Sequence, residues 1–334
     1  MSHSRDDTLA ILRGESIARL PVFSGLPSLT DAGLRAVGVR YNDAHTDAAK
    51  MAMAAASTFE VCGFESAVVP FDLCVEAEAL GGHVDFQTDL DIFMPPVVDG
   101  PLSEFPRTIP GDLARAGRIP LVADALRRLR AGVGREIAIG AWMPGPFTLA
   151  WQLFGADAWL SALQEPERVA RWLELLAEFL ARVGAFYRDA GADFLTVHEM
   201  GGSPQVLGPE KFRMFVKPNL ARVVAQLASP KVLSICGDTN AIVYDLAECG
   251  ADALHVDQRN DIARTRRLLP RAILLGNLDP VGTLSRGSAD AVTEAVRRAA
   301  QAGVNAIWPG CDLVPAIPAA NLHALMTTMR SSPT

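Results

Sequence analysis

Two cysteines in this chain stand where an apolar run gives way to a polar loop. Cys236 closes Val232-Leu233-Ser234-Ile235-Cys236 ahead of Gly237-Asp238-Thr239-Asn240, and Cys311 follows Ile307-Trp308-Pro309-Gly310 and precedes Asp312. Thiolates that meet from separate strand ends suit a soft cation, and zinc is the commonest choice. Zinc can hold a thiol substrate as its thiolate at neutral pH, which makes a nucleophile without a strong base. Two buried, inert cysteines are the plain alternative. A zinc site needs further donors. Asp257 closes Ala253-Leu254-His255-Val256-Asp257, and His198 and Glu199 close an earlier run. Any of the three could complete a tetrahedral site, and each could equally anchor a loop or cap a helix.

A second group lies in Phe71-Asp72-Leu73-Cys74-Val75-Glu76-Ala77-Glu78-Ala79-Leu80-Gly81. Asp72 and Glu76 are spaced i, i+4, so on a helix they would share a face and repel unless something binds them. A solvated acidic face is the simple reading. Trp142, Asn277 and Asp279 end other apolar runs and are candidates for contacting substrate. Gly145-Pro146 fixes a tight loop before a helix. No Gly-x-Gly-x-x-Gly, P-loop, Gly-x-Ser-x-Gly or His-Glu-x-x-His motif occurs, so nucleotide binding and serine hydrolysis have no support.

These residues need a scaffold that presents strand ends in common. Short apolar runs at Ile137–Trp142, Phe194–His198, Lys231–Cys236, Ala253–Val256, Ala272–Leu278 and Ala306–Trp308 read as strands. Helical patterns at Pro166–Ala190, Pro209–Leu227, Thr239–Cys249, Asp261–Leu269 and Ser288–Ala302 separate them. Near-continuously apolar strands alternating with helices indicate a parallel sheet covered by helices. With Ser66–Pro70 and the run near Leu20–Phe23 the count reaches about eight strands. Thr46–Val61 and Pro120–Ala131 read as further helices. The expected fold is α/β, a single (β/α)₈ TIM barrel over residues 1–334. Residues 84–112, rich in Pro, Asp and Gly, read as a long loop or excursion near the barrel mouth. In such a barrel chemistry sits at the C-terminal ends of the strands, where the residues named above fall.

Composition narrows the setting. The chain has 334 residues, 49% hydrophobic and 21% charged, with a formal charge of −7, which suits a large core and argues against disorder. The densest basic cluster, Arg127-Arg128-Leu129-Arg130, reads as one solvated helix face, so no nucleic-acid partner is expected. No apolar run is long enough to span a bilayer, so no membrane association is expected. The polar N-terminus lacks the apolar stretch of a signal peptide. Five scattered cysteines argue against a disulfide framework and for the cytoplasm.

Several segments together resemble the uroporphyrinogen decarboxylase superfamily. They are Ile11-Leu12-Arg13-Gly14-Glu15 with Arg19-Leu20-Pro21-Val22, Phe71–Gly81, Gly145–Leu149, Gly276-Asn277-Leu278-Asp279-Pro280, and Gly310-Cys311-Asp312 with Pro318-Ala319-Ala320-Asn321. The resemblance spans nearly the whole chain and implies the same (β/α)₈ barrel. Asp72 matches the catalytic aspartate of the decarboxylases. Their arginine-rich opening is replaced by Phe23-Ser24-Gly25-Leu26-Pro27-Ser28-Leu29, their active-site tyrosine falls on Gln152, and their late histidine falls on Cys311. A polycarboxylate substrate would need those cations.

The pattern is more similar to the methylcobalamin:thiol methyltransferase branch, whose zinc ligands are a His-x-Cys pair and a late Cys. Cys236 and Cys311 match the two cysteines, while Ser234 stands where the family has histidine. In the related cobalamin-independent methionine synthases a glutamate falls near Asp257, which makes Asp257 the first substitute ligand, with Glu199 and His198 next.

The implied function is methyl transfer between a cobalamin and a thiol or an O- or S-methyl substrate, with zinc and methylcobalamin as cofactors. Asp72, Glu199 and His198 would be catalytic. Trp142, Gln152, Asn277 and Asp279 would contact substrate, and Cys236, Cys311 and Asp257 would hold zinc. The chain has no corrinoid-binding Asp-x-His-x-x-Gly motif, so the corrinoid would arrive free or on a corrinoid protein. Superfamily relatives are often dimers, which keeps a homodimer among the expectations. The alternatives are a decarboxylase-like lyase using Asp72 and a degenerate barrel that binds a corrinoid without turnover.

Overall fold

The computed structural model describes residues 4–87, 94–100, 102 and 104–330. The strands are β1 (Ser66–Val69), β2 (Val84–Asp85), β3 (Val97–Val98), β4 (Ala138–Pro144), β5 (Phe194–Glu199), β6 (Lys231–Ile235), β7 (Ala253–Val256) and β8 (Ile273–Gly276). Six of them form one parallel sheet in the order β1-β4-β5-β6-β7-β8. Two further staves close it. Leu275 bridges Ala306 and Leu278 bridges Pro309 in parallel, and Ile307 bridges Val22. Glu65, just before β1, donates its backbone N–H to the Val22 carbonyl at 2.9 Å. The circuit therefore has eight staves, and the fold is the expected TIM barrel. The first and last staves are bridges rather than ladders, because Pro21 and Pro309 have no N–H to give.

Helices cover the outside. The longest, Pro166–Asp189, buries Val169, Leu173, Leu176, Phe179, Leu180 and Val183 along one stripe. The helix expected over Pro209–Leu227 runs to Gln226, with a kink just before its start and a π-turn inside it. Gly208 has φ +77°, a π-turn covers Phe212–Val216, and a regular helix follows over Lys217–Gln226. Among the described residues no helix is long and apolar enough to cross a membrane.

The period of two along each strand divides the core into two shells. Phe23, Val68, Ala138, Trp142, Phe194, Val232, Ala253, Leu275 and Trp308 fill the barrel interior. The alternate residues Ile139, Leu195, Leu233, Leu254 and Leu274 pack outward against the helices. The N-terminal helix Ser4–Leu12 joins the inner cluster through Leu9, Ile11 and Leu12. Arg5 on that helix donates its backbone N–H to Glu136, just ahead of β4, and its guanidinium to Asp193, just ahead of β5. The helix thus closes the N-terminal end of the barrel and leaves the C-terminal end as the mouth.

Within residues 84–112, β2 and β3 pair antiparallel, and Cys74 Sγ, in the loop after β1, donates to the Pro96 carbonyl at 3.3 Å. Leu102 donates its N–H to Leu153, at the end of the helix that follows β4. Residues 88–93, 101 and 103 of that stretch lie outside the described residues.

Candidate active site

Inward parity puts a polar layer at the mouth end of adjacent strands. His198 on β5 is the register partner of Ser234 on β6, and Ser234 is the partner of His255 on β7. All three side chains point into the barrel and are buried. The Ser234 hydroxyl lies 2.8 Å from His198 Nδ1 and 2.7 Å from His255 Nδ1, and His255 Nε2 donates to the Pro309 carbonyl at 2.9 Å. Burial, with His255 nearby, pushes the His198 imidazole down to about 3, and burial pushes His255 down to about 4. Both rings are neutral at physiological pH.

One step further toward the mouth on β6, the same parity aims Cys236 inward above Ser234. Its sulfur is 3.3 Å from His198 Nε2 and 3.6 Å from Cys311 Sγ, which arrives from the last stave. Both cysteines are half-buried. The neighbouring Cys311 thiol and burial together push the Cys236 thiol up. Asp312, beside Cys311, is exposed. The Trp142 indole packs at 5.4 Å from the His198 ring and donates to the Pro70 carbonyl at 2.6 Å.

Bond lengths test whether the thiols and imidazole fit zinc. Zn–S of about 2.3 Å and Zn–N of about 2.0 Å at tetrahedral angles imply S···S of about 3.8 Å and S···N of about 3.5 Å. The two observed contacts about Cys236, 3.6 and 3.3 Å, are within a few tenths of those edges. Among the described residues no group of three or more His, Cys, Asp or Glu side chains forms a ready-made metal cage. What the chain supplies is two contacts of the right length meeting at one sulfur.

The other carboxylates near the mouth are employed in loops. Asp257 accepts the backbone N–H of Gly237 and of Arg259, each at 2.7 Å, one on each oxygen. Glu199 faces outward, where it accepts N–H groups of Phe147 (3.2 Å) and Gly202 (2.9 Å) and the hydroxyl of Thr148. Burial raises its carboxyl to about 7. It binds the loop after β4 to the loop after β5. Asp279 caps the turn Pro280–Ser285 through the N–H groups of Val281 and Gly282. Asn277 donates to the carbonyls of Asp257 and Asn260. The buried Oε1 of Gln152 has no partner among the described residues.

Asp72 is not part of a solvated acidic face. It precedes the short helix Val75–Ala79 and is buried. Arg118 grips it from two nitrogens at 2.9 and 3.0 Å, His45 Nδ1 lies at 2.8 Å, and the Cys74 N–H donates at 2.9 Å. A carboxylate has about four acceptor sites, so this set leaves none for a ligand. Burial alone would raise the carboxyl, but the Arg118 charge and these hydrogen bonds carry it well below the usual range. Glu76 is also buried, with one oxygen facing the Tyr187 hydroxyl at 3.3 Å and the other without a partner among the described residues, and burial pushes it up to about 8. It is a neutral acid at physiological pH, which removes the repulsion its spacing from Asp72 suggests.

Sequence reasoning passed over His255, Arg118 and His45. His255 carried a usable signal, since it shares inward parity with Ala253 and Asp257. Arg118 and His45 carried none, being remote from Asp72 in the chain.

Known proteins agree with this architecture. The uroporphyrinogen decarboxylase (URO-D) family pattern matches residues 3–332. A methylcobamide:CoM methyltransferase, MtaA, of Methanosarcina barkeri is 31% identical over 330 residues, covering 95% of each chain. A uroporphyrinogen decarboxylase of Chlorobaculum tepidum is 25% identical over 233 residues, covering 66% of this chain and 65% of its own. The solved structure of a methyltransferase from Methanosarcina mazei superposes with a TM-score of 0.93 at 28% identity, covering 99% of both chains. With eight staves, a mouth lined by Cys236 and Cys311, and full-length likeness to methyltransferases, the chain belongs to the uroporphyrinogen decarboxylase family.

Proposed function

We propose that this protein moves a methyl group between a methylated corrinoid and a thiol, with zinc held at the barrel mouth by Cys236 and Cys311. The observation that carries the reading is the approach of those two sulfurs to 3.6 Å, from strands far apart in sequence, inside the mouth. The full-length likeness to methylcobamide:CoM methyltransferases supports the methyl donor class. Zinc, when bound, supplies the charge that holds a substrate thiol as thiolate at neutral pH.

The chain's own residues do the rest. Cys236 and Cys311 must give up their protons to bind a cation, so metal uptake releases protons and depends on pH. The neutral His198 lies against Cys236, and the indole of Trp142 packs on its ring and restrains it. Glu199 fixes the relative position of the loops after β4 and β5. The corrinoid enters as substrate, free or on a corrinoid protein, since the sequence carries no Asp-x-His-x-x-Gly motif. The lyase reading, which needs Asp72 to receive a substrate N–H, loses support from the four hydrogen bonds already made to that carboxylate.

Zinc content and methyl transfer test the proposal together. Purified protein should hold about one zinc per chain, and Cys236→Ser and Cys311→Ser should each lose it. The zinc-loaded protein should deplete the methyl–cobalt absorbance of methylcobalamin when a thiol such as CoM is added, and the two variants should not. A folded, zinc-loaded protein that leaves methylcobalamin unchanged with every thiol tried would overturn the reading.

A further inference from the structure

Ser234 stands at the β6 position where the His-x-Cys pattern has its histidine, and a serine hydroxyl is a poor zinc ligand. We infer that His198, on the neighbouring strand β5, is the imidazole ligand of this chain's zinc site through Nε2, and that Ser234 sets its tautomer. The inference rests on the zinc reading above and assigns a ligand that the sequence pattern does not.

The assignment follows from a chain of hydrogen bonds whose direction is fixed at one end. The Pro309 carbonyl can only accept, so His255 Nε2 carries the proton of their 2.9 Å contact. Among the described residues His255 has no carboxylate at hydrogen-bond distance to hold a second proton, so its Nδ1 is a bare acceptor. Ser234 has one hydroxyl proton and gives it to that nitrogen at 2.7 Å. The Ser234 oxygen must then accept from His198, whose Nδ1 at 2.8 Å carries the N–H. This leaves the His198 Nε2 lone pair bare and directed at Cys236, 3.3 Å from its sulfur. A metal-bound histidine needs this state: one nitrogen free for the ion, the other donating to a partner that orients the ring. Trp142 packed against the ring restrains it from the other side.

The geometry also explains how serine can occupy the position. A histidine at 234 would point inward between His198 and His255, in a layer where Ser234 is already fully buried. The smaller residue makes room for the imidazoles on both neighbouring strands. The ligand nitrogen thus comes from β5 and the hydroxyl remaining on β6 becomes its support. Asp257, by contrast, has an N–H on each oxygen.

Two measurements on the full-length protein test this, with zinc and cobalt(II) as the probes. X-ray absorption of the zinc form should show two sulfurs and one imidazole nitrogen in the first shell. In His198→Ala the imidazole should be lost while both sulfurs remain, and chelator competition should show weaker binding than in any Ser234 variant. Ser234→Ala should keep the imidazole but bind zinc about 10–100-fold more weakly, as loss of an orienting partner does. Cobalt(II) spectra should report the same change in ligand field. In the metal-free protein, nitrogen-15 NMR of the histidines should find His198 protonated at Nδ1 and His255 at Nε2, a readout that needs no variant. His198→Ala with unchanged affinity and shell, while both cysteine variants lose the metal, would overturn the inference and leave the zinc site standing. Wild type that takes up neither metal would overturn both. The opposite tautomer at His198 would overturn the role given to Ser234.

Discussion

Replacing Asp72 with asparagine separates a structural role from a chemical one. The substitution keeps shape and removes the charge that Arg118 grips from two nitrogens, in a site where both side chains are almost wholly buried. The guanidinium would then meet an amide N–H₂ with only Glu78 as counter-charge. Breaking one side of a buried pair costs about 3–5 kcal/mol. Unfolding entropy of about 2.1 cal/mol/K per residue gives about 0.7 kcal/mol per degree for a chain of this length. Melting should therefore drop by about 4–7 °C.

The pH dependence has a definite sign. The folded carboxyl is depressed below its usual 3.8, so its contribution is complete above that value and is lost as pH falls through the folded value. The melting gap between wild type and Asp72→Asn should be constant across neutral pH and shrink only in strong acid. Thermal unfolding by circular dichroism measures the gap, and methyl-transfer rates taken well below melting measure chemistry. Unchanged melting with a rate reduced more than tenfold would refute the structural account and place Asp72 on the reacting groups.

Other expectations follow from the same packing. Glu76 keeps a proton in the native state, with its carboxyl near 8, that the unfolded chain releases near 4.5. Stability should therefore fall as pH rises across that window, with Glu76 contributing up to about 1.4 kcal/mol per pH unit, and Glu76→Gln should reduce the slope in urea titrations by that share while the share from Glu199 remains. A Cβ on Gly25 would lie 2.3 Å from Thr196 Oγ1 and 2.5 Å from Trp308 inside the barrel. Gly25→Ala should cost about 1–3 kcal/mol, a melting loss of about 1.5–4 °C; unchanged melting would show that the interior yields there. Zinc loss in Cys236→Ser and Cys311→Ser, checked by elemental analysis, completes the set.

The barrel was legible because its strands announce themselves. Apart from their polar residues near the mouth, the runs within Phe194–Glu199 and Lys231–Ile235 are largely apolar on both faces, as strands between a filled interior and a helical coat must be. The mouth was legible for the same reason, since polarity returns where each run ends. The helix expected over Pro209–Leu227 was legible in outline, but the π-turn at Phe212–Val216 inside it was not, because it leaves no mark in the hydrophobic periodicity. The polar layer was not legible, because it depends on register. Which residue of β5 lies opposite Ser234 is decided by the stagger of the whole parallel sheet, not by residues near either one. Parity shows that His198, Ser234 and His255 all face inward, but only the assembled sheet shows that they touch. The grip of Arg118 on Asp72 is likewise a product of tertiary packing, joining a helix start to a loop 46 residues away.

The polar layer closes on itself. From Cys311 the path runs back two residues to the Pro309 carbonyl, then through His255, Ser234, His198 and Cys236, and across the sulfur contact to Cys311. In a ring of donors and acceptors each member fixes the next, so a change at one position leaves a neighbour with a donor facing a donor or an acceptor facing nothing. Such a ring can be dismantled one residue at a time but assembled only as a set. His198, Ser234 and His255 should therefore behave as a single heritable unit: transplanting any one of them into a barrel that carries the His-x-Cys arrangement should do harm, and transplanting all three together should not.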